Sequence, residues 1–328
     1  MRAPRLAAAL VVLPLLGGLT AASVPADAEV RRGAVAGTAC SEFPSDSWWH
    51  ADVRGLPVHA RSRQWLSRMA AGPTSDTDLH PDFGPSYGDG PDYGTPVTVV
   101  GRRHRKVPVR FDHASESDRV RYPLGRDTRI EGGRRSDGDR HAIIVDKGTC
   151  RLYELYGTRQ VGGRWRAGSG AVWSLRSNKL RPDGWTSADA AGLPILPGLL
   201  RWNEVRTDRI DHAIRFTTDV TSRHHLWPAR HDAGSQNSLA YPPMGARFRL
   251  KASWSAAGLG APARRVVAAM KTYGLVLADN GSPWFFQGEQ NGAWPETLIE
   301  DLGTIPASAF VAVDTSSLKV TDGSGAVE

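Results

Sequence analysis

The sequence predicts a mainly β protein: a single-domain β-sandwich or jelly roll with a few short helices. Short apolar or alternating runs recur along the chain and are separated by turn residues. The 35 glycines and 22 prolines among 328 residues exceed the usual share in globular proteins and follow no repeat. Helices are too sparse between the runs for a doubly wound sheet.

The strand pattern fills most of the chain. The predicted strands are residues 95–100, 107–111, 142–146, 150–156, 164–166, 170–175, 212–217, 247–252, 275–278 and 310–313. Lys147-Gly148-Thr149 lies between two of these runs and predicts a hairpin. In a sandwich of this kind, the loops at one rim carry the functional site.

One clear helix is predicted at 262–273. It begins with Pro262, repeats apolar residues on one face and ends at Gly274. Shorter helices are expected at 62–70 and 295–302.

The N-terminal residues 1–28 have the pattern of a signal peptide. Arg2 and Arg5 precede an apolar core at 6–19, and Ala26-Asp27-Ala28 is a cleavage-site pattern. We therefore expect a secreted, extracellular protein with a flexible leader at 29–39 and a single domain at 40–314. The Ser- and Gly-rich residues 315–328 predict a disordered tail.

Two cysteines, Cys40 and Cys150, are the whole cysteine content of the chain. Export makes a disulfide between them the favoured prediction, and it would close a loop of about 110 residues. Two free thiols are the alternative. A catalytic cysteine is disfavoured, because an oxidising compartment would inactivate it.

The formal net charge is +7. The excess means either solubility alone or attraction to an anionic cell-wall polymer or acidic glycan. Much of it lies in the RRHRK run at 102–106 and in Arg134 and Arg135, which are expected to be solvated loops. Neither a nucleic-acid-binding motif nor an apolar run long enough to cross a bilayer is present, so we expect neither of those partners. We also expect no cofactor and no metal, since no Walker loop, Rossmann fingerprint or H-E-x-x-H pattern occurs. The expected oligomeric state is a monomer.

Paired carboxylates are the most informative candidate chemistry. Glycoside hydrolysis requires one carboxyl group as acid and another as nucleophile or base. Asp189 lies in the apolar, small-residue context SADAAGLP, where its pKa could rise, and Asp279 ends an apolar strand. Glu204 is a third candidate, with His212 as an auxiliary acid or base. The alternatives are a capping or turn role for either Asp, a surface ion pair for Glu204 and a core position for His212.

Aromatic residues are the other half of the prediction. The chain has eleven tryptophans. Trp185 and Trp284 each lie within five residues of a candidate Asp and would stack on sugar rings, although core packing is the alternative for both. Asn280, together with His80 and Asp82 from the turn-rich segment 71–95, would add polar contacts to substrate.

Several longer segments resemble a widespread group of secreted bacterial proteins of uncharacterised activity. These segments are HPDFG, RHAIIVDKGTCRLYEL, GWTSADAAGLPILPG, IDHAIRFT, PPMGARFRLKAS and YGLVLADNGSPWFF. The resemblance spans about 40–313 and implies a single exported domain. It transfers no catalytic residues.

The sequence therefore predicts a secreted enzyme that acts on a polysaccharide, a glycoside hydrolase with paired carboxylates in an aromatic-lined cleft. A polysaccharide lyase is less favoured. The alternatives are a non-enzymatic protein that binds glycan or cell envelope, and an extracellular structural protein.

Overall fold

The computed structural model describes residues 34–72, 77–86, 88, 90–133 and 135–328. Strands take up 27% of the chain and helices 15%, so the protein is mainly β, as predicted. The predicted signal peptide and the first residues of the predicted leader, 29–33, lie outside the described residues.

The described ranges contain fourteen strands in three sheets. In chain order they are β1 (His80–Asp82), β2 (Val97–Val100), β3 (Val107–Phe111), β4 (Arg121–Tyr122), β5 (Ala142–Asp146), β6 (Arg151–Tyr156), β7 (Arg159–Val161), β8 (Arg164–Ala167), β9 (Ser169–Ser174), β10 (Ile214–Thr218), β11 (Arg247–Leu250), β12 (Leu275–Asn280), β13 (Phe285–Gln287) and β14 (Phe310–Val313). The α-helices are α1 (Ser62–Arg68), α2 (Trp202–Thr207), α3 (Ala261–Thr272) and α4 (Glu296–Leu302).

A central four-stranded sheet, in the order β2-β5-β6-β9, is buried on both faces. All five residues of β5 are buried, which explains its unbroken apolar run. On one face, Ile144 and Leu155 pack with Phe111 and Tyr122 of a smaller sheet, β4-β3-β8-β7. These two sheets form a sandwich around one apolar core.

The other face of the central sheet joins a larger core. Ile143 and Leu152 from that face cluster there with residues of a six-stranded sheet, β1-β13-β10-β12-β11-β14. Helix α3 adds Val266 and Met270 to the same core. The sheets mix parallel and antiparallel pairs, with β10 and β12 parallel neighbours.

The strongly patterned segments match their predicted elements. Strands β3, β5 and β14 have the predicted bounds, and β5 and β6 form the predicted antiparallel hairpin. The predicted long helix is α3, shifted by one residue. Strands β1, β4, β7 and β13 were not predicted, because two or three residues are too few to establish a period.

The disulfide is confirmed. Cys40 and Cys150 are bonded, with a Cα–Cα distance of 5.4 Å. Just before Cys40, the end of the predicted flexible leader is folded: Val35 is buried, and its N–H donates to the Cys40 carbonyl at 3.0 Å.

The C-terminal segment 315–328 is ordered in the structure, where the sequence predicted disorder. The N–H of Trp48 donates to the Gly325 carbonyl at 2.8 Å, and the N–H of Val327 donates to the Asp46 carbonyl at 2.8 Å. The Ser- and Gly-rich composition of this segment did not prevent order, because hydrogen bonds of its backbone hold it against the rest of the fold. No helix within the described ranges has the length and apolar character that crossing a membrane demands.

Candidate active-site cleft

A cleft of about 360 Å³ opens where three parts of the fold meet. Tyr156 at the end of β6 and Ser169 at the start of β9 mark one end of the central sheet, and Asp279 lies at the carboxyl end of β12. The loop between β9 and α2 closes the cleft on another side. Its lining residues are His113, Glu116, Asp139, Tyr156, Ser169, Thr186, Ser187, Ala188, Asp189, Ala190, His231, Asp279 and Asn280.

Asp189 is held by the turn that it organises. Its Oδ1 accepts the N–H of Ala191 at 2.7 Å, and the Ser187 hydroxyl donates to the Asp189 carbonyl at 3.1 Å. Gly192 follows with a φ of +72°, and a Cβ there would lie 2.5 Å from the Trp185 carbonyl oxygen. Only glycine fits this position without strain. The turn role considered for Asp189 is therefore real, but it occupies only one carboxylate oxygen.

The second oxygen of Asp189 brings it together with Asp279. The Arg215 guanidinium donates through Nη2 to Asp189 Oδ2 at 2.9 Å and to Asp279 Oδ2 at 3.5 Å. Because both oxygens contact the same nitrogen, the distance between the two oxygens cannot exceed the sum of these two distances. The sequence prediction placed these two carboxylates in one site, and the structure brings them together there.

A β-bulge turns Asp279 toward Arg215. Parallel strands β10 and β12 pair Phe216 with Leu277, but the next pair is Thr217 with Asp279, so Ala278 is the extra residue. Thr217 lies two residues after Arg215, on the same face of β10. Without the bulge, Asp279 would pair with Thr218 and project from the opposite face. The bulge thus completes the cluster of two carboxylates and one guanidinium.

The two carboxylates have different surroundings. The side chain of Asp189 is 0% exposed and that of Asp279 is 24% exposed. Burial raises the pKa of Asp189 to about 7, although the Arg215 charge opposes the rise. Burial also raises the pKa of Asp279, again against Arg215. A buried acid beside a partly solvated one is the arrangement that separates proton donor from carboxylate in acid–base catalysis.

Two further buried groups fasten the Asp189 loop to the central sheet. His141 Nδ1 contacts Glu131 Oε2 at 2.6 Å, and its Nε2 contacts the Ala188 carbonyl oxygen at 3.0 Å. Burial disfavours the His141 charge, but the Glu131 carboxylate outweighs it and raises the His141 pKa to about 9. A charged imidazole donates both bonds, so it holds the loop backbone at Ala188.

Glu154 of β6 fixes the other end of the loop. Its carboxylate accepts the N–H groups of Ile195 and Leu196, the latter at 2.8 Å. Burial raises the pKa of Glu154 to about 7, and the two N–H groups oppose that rise. The central sheet therefore positions the loop from both ends through buried polar side chains.

Glu204 and His212 lie outside the cleft, contrary to their predicted catalytic role. Glu204 pairs with the buried Arg201, and its Oε2 contacts His212 Nε2 at 3.2 Å. Glu42 Oε2 meets Arg201 Nη1 at 2.6 Å and completes the group. All four side chains are almost fully buried, and none of them lines the cleft that Asp189 and Asp279 share. For His212, the core alternative holds.

Trp284 is a core residue and no sugar platform. It is 0% exposed, it stacks on Phe216 at a centroid distance of 5.2 Å, and its indole N–H donates to the Met69 carbonyl at 2.7 Å. Trp185 is half-buried, and Arg181 lies 5.5 Å from the centre of its ring. It does not line the cleft, although its neighbour Thr186 does. Proximity in sequence to a candidate Asp did not place either indole beside the carboxylates.

Of the predicted polar contacts, only Asn280 lies in the cleft. Its Oδ1 accepts the Thr221 hydroxyl at 2.8 Å, and its Nδ2 donates to the Ala233 carbonyl at 2.9 Å. His80 and Asp82 belong to β1 at the edge of the six-stranded sheet and do not line the cleft. His80 is exposed and stacks on Phe285, 4.7 Å between ring centres.

Several cleft residues were missed by the sequence reasoning. In the sequence, Arg215 has the pattern of an ordinary strand residue. Tyr156 has the pattern of a residue at the end of a core strand. Glu116 and Asp139 lie in polar loops, which gave no reason to single them out. In the structure, Glu116 Oε2 accepts the Thr186 N–H at 3.1 Å. The available signal was only that Arg215 interrupts an apolar run formed by Ala213, Ile214 and Phe216.

Metal ligation finds no support in the described ranges, where no three His, Cys, Asp or Glu side chains are grouped as a metal ion would require. No protein-family model, curated protein or solved structure matches this chain. The resemblance to a group of secreted bacterial proteins stays a prediction.

Proposed function

We propose that this protein is a glycoside hydrolase that acts outside the cytoplasm. One observation carries the proposal: two carboxylates of unequal burial line the same cleft and contact the same buried guanidinium nitrogen. The pair supplies the two neighbouring carboxyl groups that glycoside hydrolysis requires. The disulfide supports an oxidising compartment.

In this proposal, Asp189 is the general acid and Asp279 is the nucleophile. Burial raises the pKa of Asp189 to about 7, so a fraction of its side chains carries the proton that a general acid needs near neutral pH. Asp279 has the exposed fraction that an attacking carboxylate requires. Arg215 contacts both, so it stabilises negative charge on either carboxylate as the proton moves.

The cleft suits a small part of a glycan. Its volume, about 360 Å³, lies at the lower end of the range for small-ligand sites. Tyr156, 39% exposed, takes the role first given to the tryptophans, since its ring is the aromatic surface in the lining. Glu116, Asp139 and Asn280 supply acceptors for sugar hydroxyls.

The test is hydrolysis of a broad glycan panel by the intact chain and by three matched variants. We expect reducing ends from the wild type and a loss of about 10²–10⁴-fold in kcat for Asp279→Asn and for Asp189→Asn. Asp219→Asn, which changes an exposed carboxylate outside the cleft lining, is the control and should keep most of the activity. No product from any glycan, or equal losses in all three variants, would contradict the proposal.

A non-enzymatic glycan-binding protein is the second candidate. It is favoured by the engagement of both Asp189 oxygens, one by the Ala191 N–H and one by Arg215. A binding protein would retain its affinity in Asp189→Asn and Asp279→Asn while releasing no product. The same panel, measured for binding as well as hydrolysis, separates the two candidates.

A further inference from the structure

A second and larger concavity lies on the small sheet, away from the carboxylate cleft. Its volume is about 1750 Å³, and it shares no lining residue with that cleft. Strands β3, β7 and β8 and residues of the loop that follows β4, from Leu124 to Ile130, form its walls, together with Ser136 and Arg140. We call it the arginine groove. Its volume exceeds the roughly 300–1,000 Å³ of small-molecule sites, so it has room for a chain segment rather than a single small ligand.

The lining of the arginine groove is strongly positive. Seven arginines line it, and no Asp or Glu of the described residues does: Arg105, Arg110, Arg126, Arg129, Arg140, Arg159 and Arg164. A concave surface of one sign concentrates oppositely charged ligands.

Four of these side chains have no ion pair and no hydrogen bond to another described residue: Arg105, Arg110, Arg126 and Arg164. All four are exposed. The other three are engaged: Arg159 pairs with Asp112 at 3.1 Å, Arg129 donates to Gln290 at 2.8 Å, and Arg140 donates to the Ser136 carbonyl at 2.7 Å. The groove therefore holds positive charge that the fold itself does not neutralise.

Between the arginines, the groove is apolar. Val107 and Val109 of β3 and Trp165 of β8 line it and pack in part against the core that the small sheet covers. Val109 pairs with Trp165, whereas Arg110 and Arg164 alternate with them along the two strands and project from the opposite face of the sheet. An indole beside valines offers a surface for the C–H face of a sugar ring, while arginines bind carboxylates in a planar, bidentate manner.

We propose that the arginine groove binds a segment of an acidic polysaccharide, with its carboxylates on Arg105 and Arg126 and a sugar ring on Trp165. A concave groove receives a chain, whereas a flat bilayer cannot enter it. This site is independent of the hydrolase proposal, because it shares no residue with the carboxylate cleft and needs no turnover.

The test measures binding of the full chain to sodium polygalacturonate, a carboxylated glycan, and to neutral dextran. We expect binding to polygalacturonate alone, weakening as salt rises, because exposed charges are screened. The double variant Arg105→Gln, Arg126→Gln should bind about five-fold more weakly, because it removes two exposed ion pairs with the glycan. The exposed positions keep the variant folded, which circular dichroism verifies.

A matched control removes the same charge elsewhere. Arg63 and Arg223 are exposed, lie outside the groove and have no ion pair among the described residues. The double Gln variant at these positions should bind polygalacturonate within about two-fold of the wild type. An equal loss in this control, or binding to dextran as tight as to polygalacturonate, overturns the site.

Two further polyanions distinguish a glycan from other sources of negative charge. We expect polyphosphate and single-stranded DNA to bind more weakly than polygalacturonate. We also expect Trp165→Leu to reduce that preference, because the substitution removes the ring-stacking surface. Equal or tighter binding of polyphosphate or DNA would overturn the acidic polysaccharide as occupant.

Discussion

Arg215 decides the electrostatics of the cleft, although it is a buried strand residue. Its side chain is 1% exposed and contacts both Asp189 and Asp279. A buried charge costs several kcal/mol to desolvate unless opposite charges accompany it. The two carboxylates and the guanidinium therefore depend on one another, and each is costly to remove alone.

We predict that Arg215→Met destabilises the fold by about 3–5 kcal/mol, because it leaves a buried carboxylate without its partner. Urea unfolding at pH 7 measures the change. In the double variant Asp189→Asn, Arg215→Met, the neutral amide needs no cation, so the loss should be smaller than the sum of the two single losses. Additive losses would contradict the coupling between these side chains.

Trp284, which the sequence predicted to contact substrate, is instead a buried core residue. An indole near a candidate Asp and a turn is the expected sugar platform, yet here it sits among Phe216, Phe248 and Phe310. The following residues, Phe285 and Phe286, belong to a strand of the larger sheet. The positive φ of +62° at Trp284 turns its ring inward at the point where the chain enters that strand.

At the scale of elements, one extra residue in β12 sets the geometry of the cleft. The bulge at Ala278 changes which face of the strand carries Asp279. Strand β12 still reads as a buried apolar run, because its first four residues are all buried. A bulge of this kind leaves no mark in the apolar pattern, which is the only signal that the sequence offers.

The C-terminal segment provides a second test at this scale. We predict that deletion of residues 321–328 destabilises the fold, because it removes backbone hydrogen bonds to Trp48, Asn178 and Asp46, each worth roughly 1 kcal/mol. The deletion also removes the Ser324 carbonyl that accepts the Trp227 indole N–H at 3.0 Å. The melting temperature measures the effect.

A control within the same segment tests the backbone explanation. Lys319 and Asp322 form an exposed ion pair. Lys319→Gln with Asp322→Asn should leave the melting temperature nearly unchanged, because exposed pairs contribute little. A truncated protein that melts at the wild-type temperature would mean that the segment contributes nothing to stability.

At the scale of the whole molecule, buried titratable groups make stability depend on pH. The pKa of Glu154 is raised from 4.5 to about 7, and that of His141 from 6.5 to about 9. Asp189 shifts in the same direction. Between about pH 5 and pH 9, the folded state therefore binds more protons than the unfolded state. Under that condition, stability falls as pH rises.

We predict a melting temperature that is highest near pH 5 and declines toward pH 9. Below pH 4.5 the trend reverses: burial would raise the pKa of Glu131, but the His141 charge outweighs burial and lowers it to about 2. Stability from that pair is lost as Glu131 protonates on acidification. Calorimetry from pH 3 to pH 9 measures the profile.

Glu154→Gln identifies one source of the pH dependence. The Gln side chain keeps an oxygen acceptor for the N–H groups of Ile195 and Leu196 but has no titration. The decline between pH 4.5 and pH 7 should therefore be shallower in this variant. A melting temperature that rises steadily from pH 5 to pH 9 would contradict the assignment of these groups.

The sequence by itself determined the β-rich class, the hairpin, helix α3 and the disulfide partners. Each of these depends on local or compositional signals: period, turn residues, capping and a cysteine count of two. It also indicated Asp189 and Asp279, because one lies in an apolar turn and the other ends an apolar strand.

Only the tertiary structure decided which of those side chains meet. Arg215, Tyr156 and Asp139 come from strands and loops far apart in the chain, and no local pattern links them. The bulge in β12 directs Asp279 toward Arg215. Trp284, Glu204 and His212 are buried in the interior and do not line the cleft. A pattern along the chain fixes which residues are buried, but contact between distant side chains depends on how the sheets pack against each other.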